Sequence, residues 1–185
     1  MIMKPFQFLF AGLFSLLFTG FTYGQAPVTV GGAMMYPSKN IIENAMNSND
    51  HTTLVVAIKA AGLVETLEGP GPFTVFAPTN EAFAMLPAGT VDNLLKPENK
   101  TMLTSILTYH VVPGKWDAAD LMKKIKEGMG KDQLTTVQGG TLWAMTKNGR
   151  IILKDEKGNM ATVTIQNVYQ SNGIIFVIDR VLMPK

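Results

Sequence analysis

The chain has 185 residues, a formal net charge of +2 at pH 7 and no cysteine. That length fits one ordinary domain, and the small net charge argues against nucleic-acid binding, which needs a strong basic excess. The absence of cysteine excludes disulfides, thiolate zinc sites, iron–sulfur clusters and cysteine nucleophiles. A charged fraction of 16% beside 46% hydrophobic residues excludes a disordered, highly charged tail protein.

Residues 1–24 have the composition of a secretory signal peptide. They contain one charged side chain, Lys4, and a phenylalanine-rich apolar run that ends in small and turn-forming residues. We predict cleavage before Gln25 and export to the periplasm or the extracellular medium. The alternative is an uncleaved membrane anchor, although the run from Phe6 to Phe21 is shorter than the ~20 residues that a spanning helix needs.

Residues 25–37 contain the pair Gly31-Gly32, two prolines and no charged side chain. Such a composition predicts a flexible N-terminal leader or an added edge segment. We therefore place the folded domain at residues 38–185.

Helical periodicity dominates between Ser38 and about Gly130. Asparagine, aspartate, proline and glycine mark where each predicted helix begins or ends. In chain order, we predict a helix over 40–46, a helix capped by Asn49 or Asp50 and ending at Gly62, a strand over Phe73–Ala77, a short helix from Thr79 to Leu86, a helix from Pro97 to His110, an extended pair at Val111–Val112 and a helix capped by Asp117.

After Lys131 the pattern changes to strands, and we predict them at 134–137, 141–146, 150–154, 161–165 and 174–178. The pair Asn148-Gly149 is a strong hairpin signal between the second and third of these strands. The last run is almost continuously apolar, which predicts a central strand covered on both faces. Helices followed by a mainly antiparallel sheet indicate a single α+β domain.

The search for catalytic and metal-binding motifs finds none. The chain has two histidines, His51 and His110, but no nucleophile elbow and no zinc-protease motif. The predicted turn with Asp155, Glu156 and Asn159 offers oxygen ligands, yet no acid closes a calcium loop, so we interpret it as a solvated turn. We predict a non-enzymatic protein with no cofactor and no metal ion.

A basic run lies on the predicted helix that follows Asp117. Lys123, Lys124 and Lys126 are close in sequence to Lys131, a pattern that can contact anionic glycans or lipid headgroups. Acidic residues on the same segment balance these charges, and we interpret the run as a solvated helix face.

Three segments resemble the signature boxes of fasciclin domains, in the order and spacing of one complete domain. They are FTVFAPTNEAF at 73–83, ILTYHVVPG at 106–114 and SNGIIFVIDRVLMP at 171–184. The resemblance covers about Ser38 to Lys185 and is strongest to the single-domain secreted bacterial type. It implies an α+β fold, a wedge of two small β-sheets with a helical cluster packed at one edge.

Most residues of these boxes are expected to serve the fold. Thr79 and Asn80 can bond nearby backbone amides and set the turn between strand and helix, while Asp179 makes either an ion pair with Arg180 or a turn contact. The last strand should pair beside the first box. The structural motif residues are Phe73, Val75, Phe76, Pro78, Thr79, Asn80, Phe83, Asn172, Gly173 and Asp179.

The resemblance also implies extracellular adhesion and suggests residues for partner binding. In animal matrix members the Tyr-His box and an Asp-Ile pair are implicated in integrin binding. The chain has Tyr109 and His110, but Asn167 and Val168 stand at the Asp-Ile position. Integrins coordinate a carboxylate on a metal ion, and an amide is a poor replacement, so these four residues are candidate partner-binding residues without an expected integrin activity. The alternative for His110 is a partly buried hydrogen-bonding residue that serves the fold.

Together these features predict a secreted adhesion or extracellular interaction module of fasciclin type. Its expected partners are cell-surface or matrix proteins or polysaccharides, with no nucleic acid, and with membrane contact only through an uncleaved signal segment. The alternative is an envelope carrier of a small apolar ligand or lipid, because methionine, abundant here with twelve residues, adapts to apolar pockets.

Overall fold

The computed structural model describes residues 25–185, and the predicted signal peptide lies outside these described residues. The helices are α1 (Ile41–Ala45), α2 (Thr52–Ala61), α3 (Val64–Glu68), α4 (Asn80–Ala84), α5 (Thr90–Leu94), α6 (Lys100–Tyr109) and α7 (Ala118–Glu127). The strands are β1 (Val28–Val30), β2 (Ala33–Met35), β3 (Phe73–Pro78), β4 (Val111–Pro113), β5 (Lys131–Thr135), β6 (Thr141–Lys147), β7 (Arg150–Lys154), β8 (Met160–Gln170) and β9 (Gly173–Ile178). No helix within 25–185 has the length and apolar character needed to cross a bilayer.

Seven strands are hydrogen-bonded in the order β4-β3-β9-β8-β7-β6-β5. The β3–β9 pair is parallel, and the other pairs are antiparallel. Strand β8 joins two halves, since Met160–Thr162 pair with β7 and the bulged remainder from Val163 to Gln170 pairs with β9. The result is the predicted α+β wedge of two small sheets that share one long strand.

The central strands separate two hydrophobic cores. In β9, Ile175 and Val177 pack into the first core with helices α1 to α6. The alternate residues Ile174, Phe176 and Ile178 pack into the second core, which lies between the two sheets and α7. Period-two alternation sends successive side chains to opposite faces, so β9 is buried on both faces and pairs beside the first box, as predicted.

Several helix ends lie where the sequence pattern placed them, but the predicted cap of α2 is wrong. Asn49 and Asp50 form a 3-10 turn with His51, and α2 begins at Thr52 without a side-chain cap from its own segment. Asn40 caps α1 in a capping box with Glu43, and Asp117 does the same for α7 with Asp120. Gly62 ends α2 in the left-handed conformation, with φ of 73°, which glycine adopts without strain. The helix predicted from Pro97 begins as a 3-10 turn and continues as α6.

Residues 25–37 differ from the predicted flexible leader. Strands β1 and β2 form a hairpin whose Val30 and Met35 are each 1% exposed and belong to the first core. The Asn44 side chain fixes the end of this hairpin, because its Oδ1 accepts from the Tyr36 N–H and its Nδ2 donates to the Tyr36 carbonyl. The segment is therefore an added edge element that packs on the domain. The short helices α3 and α5 were not predicted either.

Candidate functional site

The first box connects three elements. The Thr79 hydroxyl caps α4 by accepting from the Ala82 N–H at 3.3 Å. Asn80, expected to cap the same turn, instead reaches across to α2. Its Oδ1 accepts from the Thr53 N–H at 3.0 Å, and its Nδ2 donates to the Asn49 carbonyl at 2.8 Å. Because no residue local to α2 caps it through a side chain, Asn80 supplies the missing acceptor from a distant part of the chain.

Tyr109 is fully buried in the second core, with no exposed area. Its hydroxyl donates to the Thr141 carbonyl at 2.7 Å and accepts from the Glu156 N–H at 3.1 Å. Burial raises the pKa of Tyr109 to about 12. Tyr109 therefore joins the end of α6 to β6 and to the turn after β7.

His110 is also buried, and both ring nitrogens are engaged. Nδ1–H donates to the Ile106 carbonyl at 2.8 Å, and Nε2 accepts from the Leu182 N–H at 3.0 Å, which defines a neutral tautomer. Burial lowers the pKa of His110 to about 4. The expectation that Tyr109 and His110 contact a partner is therefore corrected, because both side chains lie in the interior of the domain.

The other two candidate partner-binding residues lie in the bulge of β8. Val168 is buried in the first core with no exposed area. Asn167 has a positive φ of 59°, which asparagine tolerates better than most residues. Its Oδ1 accepts from the Ala118 N–H at 2.7 Å, at the start of α7. Asn167 therefore links the bulge to α7 and Val168 serves the first core, and neither is brought together with Tyr109 and His110 in an open site.

The closing box holds the first core together through Asn172. Its Oδ1 accepts from the Ile41 N–H at 3.0 Å, and its Nδ2 donates to the Leu67 and Gly69 carbonyls at 2.8 Å each. The neighbouring Gly173 has no space for a side chain, since a Cβ there would lie 2.2 Å from the backbone oxygen of the β3 residue opposite. The pair closes the parallel contact between β3 and β9.

Asp179 makes a backbone contact rather than an ion pair. Its carboxylate accepts from the Thr162 N–H at 2.6 Å, at the point where β8 changes from one sheet to the other. Within residues 25–185 the one ion pair joins Lys123 and Glu127 at 4.0 Å, so the predicted pairing with Arg180 is absent. The remaining motif residues are core, with Phe73 partly buried and the following four buried: Val75, Phe76, Pro78 and Phe83.

His51 and His110 line the same apolar cavity, which has a volume of about 20 Å³, but their hydrogen bonds go to different partners. Its Nδ1 is 2.9 Å from the Ser48 hydroxyl, while Nε2 has no hydrogen-bond partner of good geometry. Burial lowers the pKa of His51, and the nearby Ala77 carbonyl opposes the shift. Ser48 and His51 are 2% and 1% exposed, so this pair has no path to a substrate. The cavity has room for about one water and none for a lipid.

Asp155 lies in the turn that was interpreted as solvated, which is correct for the exposed residues 157–159 and wrong for Asp155. The side chain is fully buried, and its carboxylate accepts from the N–H groups of Lys157, Asn159 and Met183. A carboxylate with several backbone donors is a structural hub of the turn. Within the described part of the chain, no three acidic, histidine or cysteine side chains cluster to hold a metal ion.

The exterior offers one feature that the sequence reasoning missed. Outward-facing residues of β5, β6 and β7 form a surface in which positive charges surround an apolar stripe. In the strand register Trp143 lies opposite Lys154, and Met145 lies opposite Ile152. We define the cationic face as Lys131, Trp143, Met145, Lys147, Arg150, Ile152 and Lys154. The predicted strands 134–137 and 141–146 leave out Lys131 and Lys147, so the face becomes visible only with the observed strand bounds and register.

Two shallow grooves cross the cationic face. One, of about 600 Å³, is lined by Lys131, Trp143, Met145, Lys154 and the turn 155–158. The other, of about 570 Å³, lies near the hairpin end and is lined by Lys147, Arg150 and Ile152 together with residues of β8. The face is open to solvent and large enough for an extended ligand.

The basic run on α7 has a different character. Lys123 pairs with Glu127 at 4.0 Å, and Lys124 lies 4.7 Å from the centre of the Trp116 ring. These contacts are local to the helix and its neighbour, which agrees with a solvated helix face.

Comparisons with known proteins place this architecture in a family. The sequence model of the Fasciclin domain matches residues 49–184. Protein sll1483 of Synechocystis is 44% identical over 178 residues, covering 90% of this chain and 92% of the relative. Immunogenic protein MPB70 of Mycobacterium bovis is 37% identical over 163 residues, covering 85% of this chain and 74% of the relative.

Among solved structures, the fold is similar to a FAS1 domain pair from the insect cell adhesion molecule Fasciclin I. The TM-score is 0.71 at 20% identity, and the match covers 86% of this chain and 58% of that chain. The fold is thus that of a FAS1 domain. The chain belongs to the fasciclin domain family, as its three boxes predicted.

Proposed function

We propose that this protein is a secreted, non-enzymatic adhesion module that binds cell-surface or matrix components through its exterior. The observation that carries the proposal is that polar side chains of the second and third boxes are buried and hydrogen-bonded inside the domain. Tyr109, His110 and Asn172 each bond backbone groups of distant elements, and buried polar groups satisfied in this way stabilise a fold. Function is then left to the surface of the domain.

Export and adhesion are supported by two independent features. The N-terminal composition is typical of a signal peptide. The matched fold occurs in an insect protein described as a cell adhesion molecule. Asn167 stands where a carboxylate would coordinate an integrin-bound metal, and its amide oxygen is bonded to Ala118, so integrin is not the partner we propose.

The proposal is tested by binding to the surface of the native host. The protein is purified from the host in its natural processed form, labelled and added to cells of a strain that lacks its gene. We expect saturable binding that unlabelled protein displaces, and weaker biofilm or aggregation in the deletion strain. An unrelated exported protein of similar size and charge is the control. Binding no better than this control, with unchanged aggregation, contradicts the proposal.

The non-enzymatic part has its own test. Substrate turnover that disappears in His51→Gln or His110→Gln, while circular dichroism shows that the variant is folded, would show that the interior has a catalytic role. We expect no such activity, because both rings are buried away from solvent.

A further inference from the structure

The cationic face has an unbalanced charge. Outward positions of β5 to β8 alternate with inward ones, and four of them are basic. These are Lys131, Lys147, Arg150 and Lys154. None of the outward strand positions is acidic, because Asp132 is paired with Ala144 and faces the interior with it. The outer surface of this sheet therefore attracts anions.

The acids next to the face are already engaged. Asp155 is fully buried and bonded to backbone donors. Glu156 accepts from the Thr141 N–H at 3.0 Å and from the Lys185 N–H at 3.2 Å. Within 25–185 no ion pair involves a basic residue of the face. The charges are therefore available to a ligand without first breaking an internal pair.

An apolar stripe runs between the charges. Trp143, Met145 and Ile152 are each half-buried, so their side chains lie among the aliphatic stems of the basic residues. An indole offers a flat apolar surface on which a sugar ring can stack. Outward side chains repeat every ~7 Å along a strand, so Arg150 and Lys154, which lie at the two ends of β7, are about 13 Å apart.

We infer that the cationic face binds an acidic polysaccharide, with sugar rings against Trp143 and carboxylates or sulfates on the surrounding lysines and Arg150. This inference rests on the proposed function and names its ligand class. A lipid surface fits less well, because Trp143, Met145 and Ile152 are half-buried and basic residues flank them on β5, β6 and β7. A chain with a net charge of only +2 also lacks the overall basic excess of nucleic-acid binders.

The probe is immobilised alginate, a polyuronate, with neutral dextran as the reference surface. The processed full-length protein should bind alginate and not dextran, and the affinity should fall as salt screens the charges. Vesicles of phosphatidylcholine with phosphatidylglycerol form a second arm. Binding to these vesicles without binding to alginate overturns the inference in favour of a lipid surface.

Two charge-matched double variants locate the site. Lys131→Gln/Arg150→Gln removes two exposed charges on either side of the apolar stripe, while Lys59→Gln/Lys126→Gln removes two exposed charges on α2 and α7. The first should weaken alginate binding by about tenfold and the second by less than about twofold. Equal effects of the two variants overturn the assignment to this face.

Fluorescence reports the proposed stacking directly. The chain has two tryptophans, so Trp116→Phe leaves Trp143 as the only tryptophan, whose emission is excited selectively at a wavelength that tyrosine does not absorb. A shift of its emission on adding oligouronates supports contact with the sugar ring, and an unchanged spectrum at saturation contradicts it.

Host-cell binding that survives in Lys131→Gln/Arg150→Gln, with no alginate binding by the parent, overturns the inference alone. Failure of the parent to bind host cells overturns the proposed function as well.

Discussion

The two faces of the β5–β8 sheet are built from alternate residues of the same strands, yet they have opposite properties. On the inner face Leu142, Ala144 and Leu153 have no exposed area and belong to the second core. On the outer face their neighbours Trp143 and Ile152 lie among unpaired cations. A single strand can therefore carry the determinants of folding on one face and of the proposed binding on the other, without sharing a residue between them.

The difference between the two faces is tested first by truncating two neighbouring side chains of β7, one on each face. Leu153→Ala should lower the free energy of unfolding by about 3 to 4 kcal/mol, because it opens a cavity in the second core. Ile152→Ala, one residue away on the outer face, should cost about 1 kcal/mol or less. Urea denaturation of both variants measures the difference. Similar losses would show that the outer face also determines the fold.

The second test measures how the stability of the domain depends on pH through the buried side chain of His110. His110 has a pKa of about 4 in the folded chain, below the ~6.5 of an unfolded histidine. The unfolded state therefore binds the proton first as pH falls, and stability is lost between about pH 6.5 and 4, by about 3 kcal/mol from this group. The loss is complete below the folded pKa, and stability at neutral pH is unaffected by it.

The pH effect is measured as the free energy of unfolding of the parent and of His110→Gln across that window. We expect the parent to lose more than the variant, since the carboxylate contributions are common to both. NMR titration of the His110 ring in the parent is an independent readout. Two results contradict the assignment of His110 as a buried, neutral ring: parallel stability curves for the parent and His110→Gln, or a His110 ring that titrates near the usual pKa of histidine.

The third test removes the hydroxyl group of Tyr109 in the Tyr-His box. Tyr109→Phe deprives the Thr141 carbonyl and the Glu156 N–H of their shared partner. Leaving buried polar groups unpaired should lower stability by about 2 kcal/mol, visible in the urea midpoint. Alginate binding, compared under conditions where both proteins are folded, should be unchanged. Lost binding at equal folded fraction would return Tyr109 to a binding role.

The smallest expected effect is at Asn80. Asn80→Ala removes the acceptor for the Thr53 N–H and the donor to the Asn49 carbonyl, which should cost about 1 kcal/mol. Asn80→Asp keeps the acceptor and serves as the matched variant, expected to retain part of the stability. Thermal melting distinguishes them. A parent-like melting temperature for Asn80→Ala would refute the proposed link between α4 and α2.

Local patterns predicted much of the fold. The Asn148-Gly149 turn has φ of 51° and 75° at its two residues, as a hairpin with these residues requires. The apolar run of β9 and the cap formed by Asp117 were equally predictable from the sequence, because each depends on residues that are neighbours in the chain. The hairpin β1–β2 was not, since Val30 and Met35 are ordered by packing against helices that the segment itself does not encode.

The site was less predictable for the same reason. His110 receives a hydrogen bond from Leu182, 72 residues later, and Asn172 bonds Ile41, 131 residues earlier. No spacing rule connects such residues. The family resemblance attracted attention to the Tyr-His box as a binding region, whereas the structure uses it to join elements. The cationic face carries no motif and appears only when strand register is known.

The position of β9 has a consequence for how the chain reaches its destination. β9 lies between β3 and β8 and is made after every other strand of the described chain. Strands β5 to β8 can pair before β9 is made, but β3 cannot be joined to β8 until β9 emerges, so the native sheet is completed only at the end of synthesis. Late closure of this kind would suit the export that we propose, in which the chain passes through a translocon while still extended.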